Sequence, residues 1–196
     1  MRVLAVSGSL RQDSYNTALL RSAAELAPDG VELEVHDGLA ELPPYDQDVQ
    51  DEGAPVSVED LRDRIIKADA VLIATPEYNG SVPGVLKNAL DWASRPFPDN
   101  ALRNKPVAVV GASTSAYGGI WAQADLRKVL GIIGARVVEG DVAIGHAQEH
   151  FDSGGRLADA ELRQRLGELL RDLAAQVELR SQTAAQTALH ALDESI

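Results

Sequence analysis

The 196-residue chain carries 18 Lys and Arg against 30 Asp and Glu, a formal net charge of −12, with 45% hydrophobic and 24% charged residues. That balance builds a globular core, so a wholly disordered chain is excluded, and its sign opposes extended contact with nucleic-acid phosphate or an anionic lipid surface. The lack of cysteine removes disulfides, thiol nucleophiles and Cys-ligated zinc or iron–sulfur centres.

The chain opens with Val3-Leu4-Ala5-Val6, an unbroken apolar run that ends at Ser7-Gly8-Ser9. It is too short for the apolar region of a signal peptide, and no later run approaches the roughly 18 apolar residues of a membrane span. A soluble cytoplasmic protein is the expectation. An apolar run without alternation reads as a strand buried on both faces. The same texture returns at residues 70–74 and 107–111, and more weakly from Val137-Val138 through Val142-Ala143-Ile144. Residues 31–35 differ, because Val31-Glu32-Leu33-Glu34-Val35 alternates as a half-exposed edge strand does.

Helical spacing fills the intervals at residues 16–26, 58–67, 85–93, 122–133 and 157–177. Alternating strand and helix implies right-handed crossovers and a doubly wound α/β fold: five parallel strands with helices on both faces. Residues 38–55, with Pro43-Pro44 and several acids, read as a long surface loop. From Ser181 the sequence permits helix but is poor in large apolar residues, so residues 1–180 form the domain and 181–196 a frayed helical extension or tail.

In such a sheet the ligand lies beyond the carboxyl ends of the strands, which directs attention to the residues after each run. After the first, Ser7-Gly8-Ser9-Leu10-Arg11-Gln12-Asp13-Ser14-Tyr15-Asn16-Thr17 supplies hydroxyls, an amide and one guanidinium at a helix start, a donor set suited to phosphate. It is neither a dinucleotide Gly-x-Gly-x-x-Gly nor a triphosphatase P-loop. A plainer account makes Ser14 an N-cap and Arg11 a solvated charge. After the third, Pro76-Glu77-Tyr78-Asn79-Gly80-Ser81-Val82-Pro83-Gly84 is stiffened by two prolines and turned by Asn79-Gly80, a rigid wall for a planar heterocycle or simply a stiff connection. After the fourth, residues 111–119 are small and rich in Gly and Ser, which permits close approach to the backbone.

Gly8-Ser9-Leu10-Arg11 with Ser14 and Asn16, then residues 76–84 followed by Leu86-Lys87-Asn88-Ala89-Leu90-Asp91-Trp92, closely resembles the NAD(P)H-dependent FMN reductase family over roughly residues 1–178. The family includes flavin, quinone, chromate and azo-dye reductases. The resemblance implies a flavodoxin-like fold, one non-covalent FMN, NAD(P)H as co-substrate and a homodimer or homotetramer. Carried over by position, Ser9, Arg11, Ser14, Asn16 and Thr17 hold the FMN phosphate. Pro76, Glu77, Tyr78, Asn79 and Gly80 line the isoalloxazine, and Ser113, Tyr117 and Gly118 close the third side.

The resemblance also places Asp91 and Trp92 near a subunit interface, with Trp121 a further candidate; two tryptophans buried within one chain is the competing account. His146-Ala147-Gln148-Glu149-His150 has the spacing of an inverse zincin, but glycines close on both sides leave no room for the long helix such a zinc site needs. No metal is expected. Of the readings weighed, a ping-pong reductase serving a small-molecule acceptor is favoured over a flavodoxin-like electron carrier, because the Leu10-Arg11 step is foreign to carrier loops. The flavin N5 carries the chemistry and no side chain need act as acid or base.

Overall fold

The computed structural model describes residues 1–36 and 38–193. Three strands, β1 (Arg2–Ser7), β3 (Ala70–Ala74) and β4 (Pro106–Ala112), form the centre of an all-parallel sheet, with β2 (Glu32–His36) outside β1. The other edge is made in two pieces, β5 (Arg136–Val137) and β6 (Val142–Ile144), both paired with β4. The order β2-β1-β3-β4-β5 is the flavodoxin-like arrangement expected from the sequence. The weak fifth run is therefore a strand interrupted at residues 138–141. Arg127 bridges the interruption, donating to the carbonyls of Val138 at 2.9 Å, Val109 at 3.3 Å, and Gly140.

The unbroken apolar runs earn their pattern by facing two cores. Val3 and Ala5 of β1, with Leu72 of β3, pack under helices α1 (Tyr15–Leu26) and α6 (Ala160–Asp193) through Leu19, Leu20, Leu166 and Leu173. Leu4, Val6, Ile73 and Val109 face the opposite way, toward α3 (Val56–Lys67), α4 (Gly84–Ala93) and α5 (Ile120–Ile133), where Leu61, Leu90, Leu126 and Leu130 cover them. β2 is exposed and half-buried by turns, as its alternation requires of an edge strand.

Two expectations are corrected. Residues 38–55 are not a simple surface loop: they hold a 3₁₀ turn (Gly38–Glu41) and helix α2 (Gln47–Glu52), whose first turn is capped by the Asp46 carboxylate accepting from the Asp48 N–H at 2.8 Å. Leu39 and Leu42 are buried in the second core, which the acids and prolines of the segment concealed. Trp92 offers no surface to a second subunit. It is fully buried, donates its indole N–H to the Pro43 carbonyl at 2.8 Å and meets Tyr45 edge-on with ring centroids 4.9 Å apart. The segment from Ser181 continues α6 as helix to Asp193; residues 194–196 of the extension lie outside the described residues.

Candidate functional site

The register of β1, β3 and β4 brings their carboxyl ends together, and three loops meet there. The first leaves β1 with Gly8, whose N–H donates to the Ala74 carbonyl at 2.8 Å; a Cβ on Gly8 would lie 3.0 Å from Leu86 and 3.2 Å from Pro76, a tight fit that glycine avoids. Ser7 Oγ lies 2.9 Å from Thr17 Oγ1, tying the loop's beginning to the first turn of α1. Ser14 caps α1, its hydroxyl accepting from the Asn16 N–H at 3.2 Å. Arg11 is exposed, with its guanidinium carbon 5.9 Å from the Tyr15 ring centroid.

Asn16 is buried and fastens the first loop to the third. Its amide donates to the Ala112 carbonyl at 2.9 Å and its carbonyl accepts from the Ala112 N–H at 2.9 Å, the two-way pairing of a peptide group. The third loop is held in turn by the next strand, with Ser113 N–H donating to Ile144 at 2.9 Å and His146 N–H to Ser115 at 2.9 Å. Glycine is obligatory at Gly118, where φ is +60° and a Cβ would stand 2.6 Å from the backbone of Ala143.

The second loop is a two-residue hairpin. Tyr78 and Ser81 exchange backbone bonds at 3.1 and 3.2 Å, while Asn79 (φ 54°) and Gly80 (φ 75°) take the left-handed conformations that such a turn demands at both central positions. Tyr78 is left 56% exposed at the base of the tip.

Together the loops enclose a cleft of about 220 Å³. Ser9, Arg11, Ser14, Asn16, Pro76, Glu77, Tyr78 and Ser113 line it. Thr17, Asn79, Gly80, Tyr117 and Gly118 do not: Thr17 is engaged with Ser7, Asn79 and Gly80 form the hairpin tip, Gly118 packs on the β6 backbone, and Tyr117 is an exposed partner of Trp121, centroids 5.0 Å apart. Tyr15, Ala112 and Thr114 line the cleft without having been singled out. Tyr15 sits directly between Ser14 and Asn16 in the first motif, and its position was the available signal.

A larger recess of about 380 Å³ lies at the opposite, amino end of β1 and β2. Three of its charged side chains are already paired, Arg64 with Glu34 and Asp60, Lys67 with Asp63, and it lies away from the carboxyl ends of the strands, where a doubly wound sheet binds its ligand, so the smaller strand-end cleft is the better site. His146 and His150 flank a single 3₁₀ turn (Ala147–Glu149), and His150 Nδ1 lies 3.1 Å from Asp159. Among the described residues no group of three His, Cys, Asp or Glu is placed to hold a metal ion.

Comparison with known proteins identifies the family. The sequence pattern of the family described as NADPH-dependent FMN reductase matches residues 1–149. An NAD(P)H-dependent FMN reductase of Pseudomonas aeruginosa is 44% identical over 174 residues, 88% of this chain and 93% of the relative. A quinone reductase of Escherichia coli is 44% identical over 139 residues, 70% of this chain and 73% of that one. In three dimensions the chain is similar to the flavoenzyme NAD(P)H:(acceptor) oxidoreductase FerB of Paracoccus denitrificans, with a TM-score of 0.82, 36% identity, and coverage of 90% of this chain and 97% of FerB.

The Asn16 pairing predicts a definite cost. Asn16→Ala strands both backbone groups of Ala112 in a buried site and should destabilise the protein by about 2–4 kcal/mol in urea unfolding. A loss under about 1 kcal/mol would mean that water replaces the amide and the loops are not fastened by it.

Proposed function

The chain belongs to the NADPH-dependent FMN reductase family, and from that premise we propose that it passes two electrons from NAD(P)H through FMN to a small acceptor such as a quinone, flavin, azo dye or chromate. FMN is the cofactor and NAD(P)H the co-substrate that membership brings. The observation that carries the reading is the convergence of Arg11, two serine hydroxyls and a half-exposed tyrosine at one strand-end cleft.

The donor set fits FMN. The first N–H groups of a helix have no intrahelical partner, and Ser9, Ser14 and the Arg11 guanidinium stand at such a start, which suits a phosphate dianion. In a chain of net charge −12 the negative field opposes any anion, so Arg11 supplies the local charge that makes phosphate binding favourable. Tyr78 and the stiff hairpin suit a flat ring. Thr17 acts through Ser7, and Asn16 through Ala112, in shaping the loops rather than by contact alone.

Held by Ser9, Arg11 and Ser14 at its phosphate, FMN would supply the two-electron redox chemistry that links NAD(P)H to the acceptor. The chain's own part is to bind and orient. NAD(P)H and acceptor use the same open space beside Tyr78 in turn, so oxidised nicotinamide leaves before the acceptor binds. Initial rates measured across concentrations of NADH and 2-methyl-1,4-naphthoquinone should give parallel double-reciprocal lines, with quinone inhibiting competitively against NADH at high concentration. Intersecting lines would contradict a shared space.

The protein is proposed to assemble at least as a dimer, up to a tetramer. The support is the exposed group Tyr117, Ile120 and Trp121 at the rim of the site, not the buried Trp92. Light scattering of the FMN-loaded protein at micromolar concentration should report two or more copies, and a monomer would refute the assembly. Among the described residues no helix is long and apolar enough to cross a membrane. A cytoplasmic location, where NAD(P)H is at hand, belongs to the same proposal.

A further inference from the structure

Helix α5 begins without a cap of its own: the preceding Gly119 has φ +76° and no side chain to offer. Its first N–H groups are nonetheless satisfied from outside the helix. Glu77 Oε2, on the second loop, accepts from the Trp121 N–H and the Ala122 N–H, both at 3.0 Å. One turn further along α5, the Asp125 carboxylate accepts from the Ser81 hydroxyl at 2.5 Å. The loop therefore gives a carboxylate to the helix, and the helix gives one back. Between Glu77 and Ser81 lie only Tyr78, which lines the cleft, and the hairpin tip Asn79 and Gly80.

A carboxylate at a helix N-terminus meets both unpaired donors and the positive end of the dipole, which makes Glu77 a strong cap although it is remote in sequence. It also gives Glu77 an occupation other than ligand contact, since its Oε2 is already committed to two donors. Gly119, whose φ of +76° is the left-handed conformation that favours glycine, lies against Glu77: a Cβ there would be in ordinary contact with the Glu77 Cβ at 3.7 Å.

We propose that Glu77 is a positioning residue: by capping α5, and with Ser81 and Asp125 closing a second tie, it fixes the Tyr78 hairpin as the wall against which both NAD(P)H and the acceptor are presented. The functional part rests on the shared stacking space proposed above, whereas the cap itself does not. A cap of purely structural value would lower stability and leave substrate binding alone. A positioning cap alters the Michaelis constants of both substrates together, because both meet the same wall.

The FMN-loaded full-length protein and its Glu77→Ala and Glu77→Gln variants separate these roles. In Glu77→Ala, amide hydrogen exchange at Trp121 and Ala122 should accelerate about tenfold or more, in keeping with the worth of a helix cap. The KM values for NADH and for 2-methyl-1,4-naphthoquinone should rise together by about fivefold, with kcat changed by no more than about twofold, the pattern of lost uniform binding. Glu77→Gln, whose amide oxygen still accepts from both N–H groups, should recover most of both effects. Faster exchange with both KM values unchanged would overturn the positioning role, and so would a loss of FMN affinity in Glu77→Gln as large as in Glu77→Ala, since that would make the carboxylate a ligand. If the wild-type rate lines intersect, the shared-space reading fails on its own, and amide exchange still decides the cap.

Discussion

The pairing of Asn16 with Ala112 is the contact on which the site most depends. A parallel sheet aligns strand ends but does not fix the loops that leave them, and loops of small polar residues have little apolar surface to hold them in place. Here one buried side chain does what a neighbouring strand would do, exchanging two hydrogen bonds with a backbone 96 residues away in sequence. The pairing keeps the start of α1 against the end of β4. Gly8 then lets the second loop close on the first, since any side chain there would meet Leu86 and Pro76.

Charge acts on a different scale. With a net charge of −12 the molecule repels anions at a distance, and exposed salt bridges along its helices, such as Lys87 with Asp91, contribute little to stability. What matters at the cleft is local. Arg11 stands beside hydroxyls and a helix start, where one guanidinium counts for more than the average field. Two acids near the site are engaged within the fold: Glu77 with the start of α5, Asp125 with Ser81.

Much of this was legible in the sequence because buried parallel strands leave unbroken apolar runs. Residues 2–7, 70–74 and 106–112 could be recognised on that ground, and the edge strand at residues 32–36 by its alternation. The fifth strand was faint because it is broken, and its gap is filled by Arg127, a residue with no mark in its own neighbourhood. Helix α2 was hidden by acids that are its caps and solvent face. Trp92 is open to two readings for a general reason: a tryptophan at the end of an amphipathic helix looks the same whether it meets a second subunit or, as here, a carbonyl of its own chain. At the site, motifs identified which loops matter. They could not distinguish residues that line the cleft, such as Ser9 and Tyr78, from those that hold the lining in place, such as Thr17 and Gly118, because that difference is made by partners far away in sequence.

The account stands or falls on whether the first loop is a phosphate site. The direct measurement is the affinity of the flavin-free apoprotein for FMN and for riboflavin, with and without Arg11. Wild-type protein should bind FMN more tightly than riboflavin, and Arg11→Ala should lose about 1.5–3 kcal/mol of FMN binding, the worth of a charge-assisted hydrogen bond, while riboflavin binding stays as it was. Equal affinity of the wild type for the two flavins, or an equal loss of both on replacing Arg11, would contradict it.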